Sequence, residues 1–275
     1  MAKPERVYNA AKNDVMLAAF LYSSAISNKK YAEAKWLAEL LTIAEPDNYD
    51  MYHAAYLPRF EEDDKTSALD YLETVKSKFS DNQLFIEDYL CSLVKAEKFS
   101  EAEELLAKNV IPENPSIVYL KAAEIVCSRN EDGEMLKCYL EKEYAIYNTT
   151  AAALGIALLH IEKMELAEAF DYLSQIKRGS TVSVQLFVAL YLHSICMMTL
   201  EIPDWKQNME ENANILFEAA ASDNRYFWLK KFESHLRMLL SEDELAFECN
   251  NDEQRMENEL LDSVKKLIRQ ASANS

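Results

Sequence analysis

The sequence predicts an all-α chain, a solenoid of helical-hairpin repeats. Alanine recurs at Ala34, Ala68 and Ala102, each time within a short apolar stretch, so the pattern returns every 34 residues. The turn that closes the stretch recurs at the same interval, first as Asp47-Asn48 and then as Asp81-Asn82. Only 3 glycines and 6 prolines in 275 residues leave little turn chemistry for a strand-rich fold. A single hairpin of this length cannot bury its apolar face alone, so successive hairpins must stack.

Residues 1–14 read as a lead-in, and the first hairpin starts at Val15, where Asn13 or Asp14 can cap a helix carrying Met16, Leu17, Phe20, Leu21 and Ile26. Asn28-Lys29-Lys30 makes the turn. Tyr31, Ala34, Trp36, Leu37, Leu40 and Leu41 then mark a second helix, which ends before Pro46. The second hairpin, 49 to 82, carries Tyr52, Ala55, Tyr56, Ala68, Leu72 and Val75 in the same phase. Two residues break its pattern. Arg59 stands where an apolar side chain is expected, and Pro58 lies inside the first helix, where a missing N–H should kink or shorten it. The third, 83 to 116, supplies Ile86, Tyr89, Leu90, Leu93, Phe99, Ala102 and Leu106. The fourth keeps Leu120, Ala123, Cys127, Leu136 and Leu140, but Gly133 replaces an aromatic and Glu143 occupies an apolar position. A fifth begins one residue early, with Ala153, Ile156, Ala157, His160, Leu166, Ala169, Leu173 and Ile176.

These positions resemble the tetratricopeptide repeat family over about residues 15–182: small or apolar residues at repeat positions 4, 7, 8, 11, 20, 24 and 27, an aromatic at 17 and proline at 32. The first repeat matches with Ala18, Leu21, Tyr22, Ala25, Tyr31, Ala34, Ala38, Leu41 and Pro46. The resemblance implies a right-handed superhelix whose first helices line a concave face. It also implies a non-enzymatic interaction scaffold or adaptor, a subunit of a larger complex, with a client-specific chaperone as the alternative. Family members that clamp a carboxylate-ended peptide use lysine and asparagine where this chain has Ala19 and Ser23, so that clamp is not implied here. The inner-line positions point to Leu57, Phe60, Leu84, Glu87, Val94, Lys121, Ile125, Leu154 and Leu158 as a partner-binding groove. Most are apolar, which suits a helical or hydrophobic extended segment, and the alternative occupant is the chain's own C-terminal helix.

Beyond Gly179 the register is lost. The apolar run from Thr181 to Leu200 is interrupted by Gln185, His193 and several hydroxyls, and reads as a buried helix rather than a membrane span. Pro203 suits the first turn of a helix from Trp205 to Ala221, completing another hairpin. Arg225 to Leu240 forms a further helix, on which Arg225, Lys230 and Lys231 make a second candidate docking face for an acidic partner. Residues 183–271 thus form a C-terminal helical region. Its last segment, Glu253 to Ala271, is amphipathic and should cap the stack, leaving 272–275 as a disordered tail.

The charge excludes some partners. Twenty-nine basic against 47 acidic residues give a formal charge of −18, which repels phosphate backbones and anionic membrane surfaces and leaves room for a basic partner. No His-Glu-x-x-His, phosphate-binding glycine loop or Cys-x-x-Cys pair occurs, so no catalytic, metal or cofactor site is expected. Five scattered cysteines and an N-terminus without a secretory signal suggest a reducing, cytoplasmic setting.

Overall fold

The computed structural model describes residues 11, 14–62, 64–176, 184–222 and 227–241. These residues hold thirteen α-helices and no strand. They are α1 (Val15–Ser27), α2 (Tyr31–Ala44), α3 (Tyr49–Phe60), α4 (Ser67–Phe79), α5 (Gln83–Lys95), α6 (Phe99–Lys108) and α7 (Ile117–Arg129), then α8 (Gly133–Tyr147), α9 (Thr150–Glu162), α10 (Leu166–Ser174), α11 (Val184–Thr199), α12 (Trp205–Ser222) and α13 (Phe227–Ser241). The chain divides into two compact units, Met1–Asp132 and Gly133–Ser275. The proposed cap Glu253 to Ala271 and the tail 272–275 lie outside the described residues.

Helix starts follow the sequence period. Side-chain oxygens of Asp14, Asn48, Asn82, Ser116 and Thr149 accept N–H bonds from Leu17, Asp50, Phe85, Tyr119 and Ala152 at 3.0–3.1 Å. Each caps the first helix of a hairpin by satisfying an orphan donor. The second helices α2, α6 and α10 have no such cap and follow a tight left-handed turn instead. Lys29, Glu97, Glu131, Met164 and Glu201 have φ between 51° and 60°. The residue after each closes the turn: N–H groups of Lys30, Lys98, Asp132, Glu165 and Ile202 reach back five residues to the carbonyls of Ala25, Leu93, Cys127, His160 and Met197. This is the Schellman geometry, usually given to glycine. Among the described residues this glycine-poor chain builds it from ordinary side chains five times.

In the first unit each helix packs on its successor, and α3, α5 and α7 also pack side by side. Apolar first-helix residues fill the interior: Ala55 and Tyr56, Leu90 and Leu93, Leu120 and Ala123 are all buried. Tyr49 meets Phe79 and Phe85 edge-on, with ring centroids 5.2 and 5.6 Å apart. The irregular second hairpin is explained by local contacts. α3 runs through Pro58 and stops at Phe60, while α4 starts only at Ser67. Asp64 Oδ1 accepts the N–H groups of Thr66 and Ser67 and so caps α4. Arg59, out of place by the apolar pattern, lays its guanidinium 4.3 Å from the Tyr71 ring centroid.

The second unit repeats the arrangement. Successive helices pack, and α9, α11 and α13 stack side by side. The α11–α12 hairpin keeps the turn geometry of the earlier repeats although its sequence has left their register. Pro203 falls in that turn, two residues before α12, rather than in the helix. The apolar run predicted as a buried helix is α11: Phe187, Val188, Ala189, Tyr191 and Leu192 pack against α9, α12 and α13. Asn212 ties α12 to α11, donating to Ser194 Oγ at 2.9 Å and to the Leu190 carbonyl at 3.3 Å. Glu143, at a position where the repeat wants an apolar group, is buried and accepts the Thr149 hydroxyl beside the α9 cap. Among the described residues no helix is long and apolar enough to cross a membrane.

Candidate functional site

The side-by-side stacking of α3, α5 and α7 gives the first unit one continuous helical face. Its residues recur at matching turns of each helix. α3 places His53, Leu57 and Phe60 there, α5 places Leu84, Glu87 and Val94, and α7 places Lys121 and Ile125. Leu57, Phe60, Leu84, Val94 and Ile125 are all half-buried, so their inner atoms pack while their outer atoms remain open to solvent. Of the sequence-derived groove set, these five with Glu87 and Lys121 lie in the first unit.

Leu154 and Leu158 lie elsewhere. Both sit in the core of the second unit, where α11 packs on α9, and Leu154 has no exposed surface. Lys230 and Lys231 are exposed on α13, while Arg225 is outside the described residues.

A buried polar network underlies the open face. Tyr49 Oη donates to Asp88 Oδ2 at 2.8 Å, and His53 Nδ1 lies 2.7 Å from the same oxygen. Burial pushes the Asp88 carboxyl above its ordinary range, against the lowering pull of the His53 and Tyr49 hydrogen bonds. Burial, and then the Asp88 charge, pushes the Tyr49 phenol upward. The Cys91 thiol, also buried, is raised mainly by desolvation and then by Asp88 and Glu87, which makes it a poor nucleophile. Glu87 Oε2 accepts the Ser116 N–H at 3.2 Å, and Lys121 Nζ pairs with Glu124 at 3.0 Å on its own helix. Sequence reasoning missed Tyr49, Asp88 and Glu124. Glu124, an acid at repeat position 8 where a small or apolar residue is expected, was the available signal; Tyr49 and Asp88 stand outside the marked positions.

The arrangement can hold an apolar segment by contact and a polar group by hydrogen bonding. Among the described residues no group of three or more His, Cys, Asp and Glu is placed to hold a metal ion.

No family model matches the sequence, and no curated protein matches it. The fold is similar to the solved structure of PilF from Pseudomonas aeruginosa, a tetratricopeptide-repeat protein. The alignment has a TM-score of 0.61 at 16% identity and covers 82% of this chain and 98% of that one. Together with the helical stacking, this likeness defines the chain as an all-α repeat protein of tetratricopeptide-like fold.

Proposed function

We propose that this protein is a non-enzymatic interaction scaffold, a subunit of a larger intracellular assembly, that captures a helical or extended apolar segment of a partner on the α3/α5/α7 face. The observation that carries this reading is the row of half-buried apolar side chains Leu57, Phe60, Leu84, Val94 and Ile125 on three adjacent helices. A partner that covered them would bury area worth about 25 cal/mol per Å², with the helices already in place and little ordering cost on this side. The likeness in fold to a tetratricopeptide-repeat structure supports an interaction scaffold in general.

The test is capture of cellular partners by the intact chain and by a Phe60→Glu/Leu84→Glu double variant. Partners should be lost from the variant while its helical circular dichroism is kept. Loss of helicity would make both side chains core and remove the reading. A partner that stays in a stoichiometric complex on gel filtration marks a subunit. A partner that aggregates only in the absence of this chain marks a client-specific chaperone instead.

A further inference from the structure

We propose that the segment held on the α3/α5/α7 face brings a lysine or arginine side chain to Glu87, so that the face selects basic, apolar sequences over neutral or acidic ones. The proposal rests on the interaction-face reading above and adds the chemistry of the partner.

His53, Glu87 and Lys121 occupy the same turn of three adjacent helices, 34 residues apart. The two basic members of this row are already engaged by acids of the protein, His53 by Asp88 at 2.7 Å and Lys121 by Glu124 at 3.0 Å. Glu87 is different. It is only 7% exposed, it accepts one backbone N–H from Ser116, and among the described residues no basic side chain pairs with it. A carboxylate offers about four acceptor sites, and the Ser116 N–H fills one of them.

Glu87 therefore sits on the proposed face as an acid that a partner's basic side chain could join, beside the N-terminus of α7. Its surroundings would strengthen an incoming cation. Leu84 lies one turn before it and Cys91 one turn after it, and Leu57 and Ile125 stand at the following turn of the neighbouring helices. An apolar setting weakens screening, so an ammonium or guanidinium group seated there gains more than it would on an open surface. The formal charge of −18 draws basic segments toward the chain in the first place.

The experiment is selection from a random 15-residue peptide display library on the intact chain, on Glu87→Gln and on the Phe60→Glu/Leu84→Glu double variant. Glutamine keeps an acceptor for the Ser116 N–H, so the Glu87 variant should keep wild-type circular dichroism. Expected is enrichment on the wild type of apolar peptides with Lys or Arg at one fixed offset, and disappearance of that offset preference on Glu87→Gln. Resynthesised basic peptides should bind the Gln variant about tenfold more weakly than the wild type. The same basic enrichment on both proteins would overturn the proposal, since general acidity would then suffice. Apolar peptides without a basic residue, enriched on the wild type and lost on the double variant, would leave the interaction face standing and remove the cation. Absence of any enrichment that depends on Phe60 and Leu84 would remove both.

Discussion

Asp88 is buried, yet its carboxylate holds side chains from two turns of α3, and that position makes its protonation count. Because burial raises its proton affinity in the fold, folded chains bind more proton than unfolded ones at pH values just above the ordinary 3.8. Stability contributed by the protonated group is complete below that value and is lost as pH rises through the raised one. Urea midpoints taken in a His53→Gln background, where the neighbouring imidazole is absent, should show this as a decline that sets in as pH rises above the ordinary 3.8, relative to a His53→Gln/Asp88→Asn protein. A constant difference across the range would show that the fold does not perturb Asp88. A second residue-scale effect comes from the turns. Met164 is largely exposed and holds φ at 60°, so its side chain gains little while its backbone is strained. Met164→Gly should raise stability by about 0.5–1 kcal/mol, read from the urea midpoint, and unchanged or lowered stability would mean that the strain is offset elsewhere. Neither feature was legible from residue type, since Lys, Glu and Met carry no left-handed signature.

At the scale of the helix, the caps explain why the period survives after the apolar pattern has decayed. Asp14, Asn48, Asn82, Ser116 and Thr149 mark the entries to α1, α3, α5, α7 and α9, and all five are short polar side chains whose oxygen reaches an N–H two or three residues ahead. Asn82→Ala should cost about 1 kcal/mol, because the Phe85 N–H loses its acceptor at the start of α5. Asn82→Asp should cost much less, since a carboxylate accepts the same bond and faces the positive end of the helix. Equal losses in the two variants would assign the effect to something other than capping. The pairs Asp47-Asn48 and Asp81-Asn82 were visible in the sequence as turns closing one repeat, but their second members open the next. Ser116 and Thr149 play the same part without resembling the asparagines, so a chemical role shared by four residue types was hidden behind their different names. The second hairpin shows the converse. Arg59 and Pro58 broke the pattern, and only the contact with Tyr71 and the late start of α4 at Ser67 show how the fold absorbs them.

For the whole molecule, the period places a residue on the inner line of a first helix but says nothing about what lies over it. Leu84 and Leu154 both lie on that line by sequence, yet Leu84 is half-buried and Leu154 is fully enclosed. α11 packs on α9 and brings Phe187, Val188 and Tyr191 into the same core as Leu154. Sequence reasoning lost the register after Gly179, just before the helix that supplies this cover, and so could not separate open positions from closed ones. Truncation measures the difference directly. Leu154→Ala, and Leu90→Ala in the interior of α5, should each cost about 2–5 kcal/mol, because they leave cavities among side chains that cannot fully close around them. Leu84→Ala, on the same helix as Leu90 but on the open face, should cost only about 1 kcal/mol, since part of its surface is in water already. Chemical denaturation of the three variants provides the comparison. A loss at Leu84 as large as at Leu90 would mean that the α5 face is filled as tightly as the core, and no partner segment would find room on it.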